Sequence, residues 1–154
     1  MLDVSPTQLT LLFVWFGVFG LLGNLLLARF VERLGINLAV VLTLSLVALS
    51  LLMWPLATTL ATTAALLVPW GLGCFSCNSA QQARLGTTVP ALAPALLALN
   101  SSAMYFGQAV GASSGGWLLS HGGFGPLSWV ALVGVLAAMG LSVWVGRQRV
   151  VVSA

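Results

Sequence analysis

The chain has 154 residues, 60% of them hydrophobic and only 5% charged, with Asp3, Glu32 and five arginines giving a formal net charge of +3. A soluble domain carries about 25% charged residues to build its solvated surface, so a soluble globule is excluded. The basic charge is all arginine, scattered at the ends of apolar runs, and no cluster is long enough to track the phosphates of a nucleic acid.

No charged residue falls between Leu34 and Ala83, or between Leu85 and Gly146. About 20 apolar residues cross the bilayer hydrocarbon, and a chain this short cannot hide such runs in a core of its own. A transmembrane barrel would show short segments of alternating polarity, and these are absent. The expected class is an all-α, multi-pass membrane protein forming a single transmembrane domain over residues 1–154. Its two cysteines supply no disulfide framework. The N-terminus lacks a basic leader and a small-residue cleavage site, so the first apolar run reads as a retained span.

In chain order, Ser5-Pro6-Thr7-Gln8 is a helix start: Ser as N-cap, Pro at the first helical position, Gln three residues after the cap. Span one runs from about Leu9 to Ala28. A short charged turn with Arg29, Glu32, Arg33 and Gly35 follows, and Arg29 can snorkel to the interface. Span two covers about Leu38 to Trp54, and Pro55 to Thr59 is a break. Span three, about Leu60 to Ser79, contains Pro69, Trp70, Gly71, Gly73, Cys74, Cys77 and Asn78. Gln81 to Arg84 and Gly86 to Pro94 read as the next loop. Span four runs from about Ala95 to Leu119, and Ser120 to Pro126 is a breaker-rich turn holding His121. Span five extends from Leu127 to about Val145, with Arg147 and Arg149 beyond it.

Five spans place alternate loops on opposite sides. Every arginine then lies on one side, which the positive-inside rule makes cytoplasmic, giving an outside N-terminus and a cytoplasmic C-terminus. Trp54, Trp117, Trp129 and Trp144 fall near span ends, where an aromatic belt places them. Spans two and five read as scaffold. Span four carries Gly107, Gly111 and Gly115 at four-residue spacing, a notch for close helix approach, with Asn100 on nearly the same face. Ser101, Tyr105 and Gln108 form the adjoining face. Amides at membrane depth either bond neighbouring helices or line a wet path; on the second reading Asn100, Tyr105 and Gln108 face Asn78 and Trp70 across a solute path.

The stretch Ala28-Arg-Phe-Val-Glu-Arg-Leu-Gly35, with Gly23 before it, resembles the loop signature of the major facilitator superfamily. Gln81-Gln-Ala-Arg-Leu85, Pro90 to Ser102 and Gly107-Gln-Ala-Val-Gly111 resemble the span ten to eleven region of its drug/proton antiporters and sugar-efflux permeases. The resemblance implies that the chain corresponds to spans eight to twelve, with the preceding spans of the same transporter, or a second chain, completing it. It implies proton-coupled efflux of a small solute across the plasma (inner) membrane by alternating access, with no cofactor and no catalytic residue. It also implies a gate role for Arg29, Glu32 and Arg33 through helix ends; the plain alternative is that they only anchor the topology. After Gly35 the family often has basic residues where this chain has Ile36 and Asn37.

Two rivals come from other classes. One is a small membrane subunit that binds another protein through its glycine-notched faces. The other is a membrane thiol oxidoreductase using Cys74 and Cys77, whose spacing is that of a redox motif. His121 has no metal-ligand company, and nothing resembles a nucleophile–base pair or a phosphate-binding loop.

Overall fold

The computed structural model describes residues 4–123 and 125–152, with side chains described as far as Gly146. Ser5 opens α1, Pro6–Leu34, with a complete capping box: its hydroxyl accepts from the Gln8 amide at 3.3 Å, and the Gln8 side chain accepts from the Ser5 amide at 2.9 Å. The helix does not stop at Ala28. Arg29, Glu32 and Arg33 occupy its last two turns, because Leu, Arg and Glu are good helix formers and no breaker intervenes. The reversal is the single residue Gly35, at φ +77°, a conformation that a side chain would strain. The charged segment expected as a loop is therefore the end of a helix.

Next comes α2, Ile36–Met53, which tightens into a 3-10 turn at Trp54–Leu56 around Pro55. Thr59 caps α3, Leu60–Thr88, by the same reciprocal device, here with Thr62. This helix also outruns its expected end. It carries Gln81 to Arg84, read from sequence as loop, and yields only at Val89, where the following Pro90 forces extended backbone. After a 3-10 turn at Pro90–Leu92 come α4, Ala93–Gly122, and α5, Gly125–Val152. The reversal between them includes Gly123 at φ +69°. Among the described residues there is no strand.

The central element is α3, packed against both α1 and α2, while α5 lies on the other side of α2. Two glycines make this possible. A side chain at Gly23 of α1 would run into the backbone carbonyl of Leu72, and one at Gly73 of α3 into the carbonyl of Thr43 on α2. Small residues let helix backbones meet this closely where no hydrophobic effect drives them together. Pro69 lies inside α3 and removes one intrahelical donor. In the same turn, the Ala64 carbonyl accepts from Trp15 Nε1 at 3.0 Å and the Leu66 carbonyl from Ser50 Oγ at 2.7 Å. Neighbouring helices thus bond α3 where proline loosens it.

A small apolar core forms around Val47, Ala48, Leu51 and Leu132, with Trp70 and Val135 against it. Most large apolar side chains point outward instead, Phe13, Leu21, Phe106, Val133 and Leu141 among them. Such a surface is far beyond what a soluble monomer tolerates. Among the described residues four segments are long and apolar enough to cross a membrane: Pro6–Leu34, Ile36–Leu56, Leu60–Thr88 and Gly125–Gly146. The fold is an all-α, membrane-type arrangement. The exception is α4, which has the length but not the composition, because it carries two amides, five glycines and five serines between Ala93 and Gly122.

Candidate functional site

The side chains of Arg29, Glu32 and Arg33 are all exposed at the C-terminal end of α1. Arg33 sits in the last turn, where its charge complements the partial negative charge of the helix end. Gly35 makes the turn, and Gly23 is a buried crossing point of α1 on α3 rather than part of the charged end. The structure therefore divides this motif into three charged residues, a turn and a packing notch.

The residues expected to face one another across a solute path occupy two separate environments. Trp70 is half-buried in an aromatic cluster, edge-on to Phe16 at 6.3 Å and to Trp54 at 5.2 Å between ring centres. With Leu9, Leu12, Phe13 and Leu67 these rings line an apolar groove of about 400 Å³. Asn78, two turns further along α3, is half-buried and accepts from Gln82 Nε2 at 3.4 Å. On α4, Asn100 is half-buried while Tyr105 and Gln108 are exposed. No hydrogen bond joins these three to Trp70 or Asn78 among the described residues.

α4 as a whole has no buried residue. A Cβ added at Gly107 or Gly111 would meet open space, and one at Gly115 only the tip of Leu127 at 3.6 Å. The stripe expected to pack helices is thus unoccupied within this chain, and Gly23, Gly71 and Gly73 do that work instead. The serines of α4 are satisfied locally. Ser101, Ser102, Ser113 and Ser114 each donate to the carbonyl four residues back, at 2.7 to 3.1 Å. This internal bonding satisfies the hydroxyls without a partner on another helix.

Sequence reasoning missed the polar links that tie the bundle together. Ser79 Oγ donates to Asn24 Oδ1 at 2.7 Å, joining α3 to α1, and Arg84 Nη1 donates to Ser142 Oγ at 2.9 Å, joining α3 to α5. Arg84 is 9% exposed, a buried cation where a surface loop residue was expected. A signal for Asn24 was present: a single amide beside a glycine in an otherwise apolar run. Cys74 is exposed and Cys77 half-buried, both as free thiols on α3. His121 is helical rather than in a turn, its ring stacked on Trp117 at 4.7 Å.

Compared with known proteins, the chain is 28% identical over 125 residues to the uncharacterized MFS-type transporter YbcL of Bacillus subtilis (strain 168). The match covers 80% of this chain and 32% of that protein, so the chain spans about a third of the length of the curated relative it matches. No family model matches the chain. No solved structure matches it either.

Proposed function

We propose that this chain forms the last five spans of a secondary transporter of the major facilitator superfamily, which exports a small solute by proton-coupled alternating access. The observation that carries the reading is the match to an MFS-type transporter over four-fifths of the chain. The bare face of α4 supports it. A helix with notches at Gly107 and Gly111, amides at Asn100 and Gln108, and no buried residue is built to face something outside this chain. In a transporter of two halves that something is the opposite half, and substrates bind near the midplane between them. Asn100, Tyr105 and Gln108 would then contribute one wall of the solute path.

The fifth crossing belongs to the same proposal. If α4 did not cross, Arg84 and the C-terminal Arg147 and Arg149 would lie on opposite sides, against the positive-inside rule. With α4 crossing, all five arginines face the cytosol, the N-terminus lies outside, and the membrane is the plasma (inner) membrane. At 30 residues α4 extends about 45 Å, ample for the hydrocarbon. Arg29, Glu32 and Arg33 then act at the cytoplasmic gate, pairing with helix ends in one orientation of the cycle.

The test is transport by the intact protein in inverted membrane vesicles energised with a proton gradient. Uptake of a small amphipathic dye that collapses with an uncoupler supports the reading, and replacing Asn100 or Gln108 by Leu should remove it without loss of the protein from the membrane. The open α4 face also suits a small membrane subunit bound to another protein. In that case crosslinking recovers a constant partner chain and the vesicles show no gradient-dependent uptake.

A further inference from the structure

The chain's two cysteines stand together on α3, and neither the packing of the bundle nor a solute path calls for a pair of thiols. Both are free, Cys74 exposed and Cys77 half-buried. Residues three apart on a helix share a face, with Cβ atoms about 5–6 Å from one another, and these two thiols are close enough to interact electrostatically. A disulfide draws its Cβ atoms to about 3.5–4.5 Å, so the helix must distort to form one. An ion bridging the sulfurs asks for no such movement. Two metal–sulfur bonds of about 2.3 Å each, set in line, hold the sulfurs about 4.6 Å apart. The spacing suits a bridged pair better than an oxidised one.

The ligand set identifies the ion. Thiolates select soft metals. Among the described residues no group of three or more His, Cys, Asp or Glu side chains comes together, so the four ligands of a zinc or iron–sulfur site are not assembled there. A thiophilic cation content with two sulfurs remains, and cuprous copper is that ion. We propose that Cys74 and Cys77 together bind one Cu(I). Two S–H groups give their protons to water, two S–Cu bonds form, and no electron is transferred. The complex carries one net negative charge. Arg84, itself bonded to Ser142, lies within electrostatic reach of Cys77, and with Gln81 they line one cleft between α2, α3 and α5. Cys77 stands about 26 Å along α3 from Leu60, near the far edge of a ~30 Å hydrocarbon layer. The ion therefore enters from the polar end of the bundle, where Gln81 and Arg84 follow. Binding needs neither a gradient nor the opposite half of a transporter.

The test is a titration of the whole chain, purified in a neutral detergent without oxygen, with Cu(I) buffered by the chromogenic chelator bicinchoninate. The protein should withdraw one equivalent of copper from the chelator, with a new ultraviolet thiolate-to-copper absorption and a raised thermal midpoint. Cys74→Ser and Cys77→Ser should each weaken retention by about a hundredfold or more, the lower end of what joining two binding groups on one scaffold provides. The double variant should withdraw no copper, and its thermal midpoint should not respond to the metal. Copper retained by the double variant, a single variant that binds as tightly as the parent, or Zn(II) bound as tightly as Cu(I) would overturn the assignment. So would closure of a Cys74–Cys77 disulfide by oxidised glutathione in preference to copper binding, which would give the pair to redox chemistry instead. Because the readout needs neither a gradient nor a solute, its failure leaves the transport reading standing, and loss of transport leaves this one standing.

Discussion

Ser79 on α3 donates its hydroxyl to the side-chain oxygen of Asn24 on α1 at 2.7 Å, and the adjacent Gly23 lets the two backbones meet. Close approach and a polar bond thus act at one crossing. Removing either partner of the bond should destabilise the α1–α3 pair, and removing both should cost less than the sum. A double-mutant cycle with Asn24→Ala and Ser79→Ala, read by thermal unfolding in detergent, should give a coupling of about 0.6 kcal/mol, with about 1.7 as the upper end for such bonds.

The glycines fall into two groups with opposite expected behaviour. Gly23→Ala and Gly73→Ala place a methyl group against a backbone carbonyl of the next helix, and the helices must separate. Each should lower stability by about 1–3 kcal/mol, as overpacking does. Gly107→Ala and Gly111→Ala meet open space and should leave the thermal midpoint of this chain unchanged or slightly raised. On the proposed reading, the same two substitutions in the intact transporter should impair assembly of the halves or transport, because there the face would be occupied.

Two serines of α2 separate a bond between helices from one within a helix. Ser50 is fully buried and reaches the Leu66 carbonyl on α3, beside Pro69; Ser45 is exposed and bonds the Val41 carbonyl of its own helix at 2.8 Å, with only a weak 3.6 Å contact from its hydroxyl to the Met139 sulfur of α5. Ser50→Ala should cost about 1 kcal/mol, and Ser45→Ala close to nothing. Both are measurable by the same unfolding experiment.

The class, the five helical segments and the Ser5 cap were legible from residue types alone. Ser5, Pro6 and Gln8 form the capping box their spacing implies, and Gly35 and Gly123 take the positive φ at the two reversals. Helix ends were less legible, for a physical reason. Charge marks where a helix leaves hydrocarbon, not where it unwinds, so α1 continues through Arg33 and α3 through Arg84 until Gly35 and Pro90 stop them. A four-residue repeat shows that a helix can be approached closely, not that a neighbour within the same chain does so, and Gly107 and Gly111 face open space here. Gly71 and Gly73, on the helix that is approached from two sides, carry no such repeat. The buried state of Arg84 was hidden because it depends on Ser142, 58 residues away.

Arg33 distinguishes gating from anchoring. Four other arginines remain on the proposed cytoplasmic side, so Arg33→Ala should insert in the same orientation and in normal amount. Transport by the intact protein should nonetheless fall, since an exposed charge at a helix end is free to pair in one conformation and release in another. Normal transport, or a change of orientation alone, would make the residue an anchor.

Everything proposed for function depends on α4 crossing the membrane, since four crossings leave both ends of the chain on one side and five leave them on opposite sides. The direct measurement is an epitope tag at each end, in intact cells exposed to protease with the outer leaflet of the inner membrane accessible. Five crossings predict that the N-terminal tag is removed and the C-terminal tag protected. Both tags protected, or both removed, would contradict the account, and the solute path along Asn100 and Gln108 would fall with it.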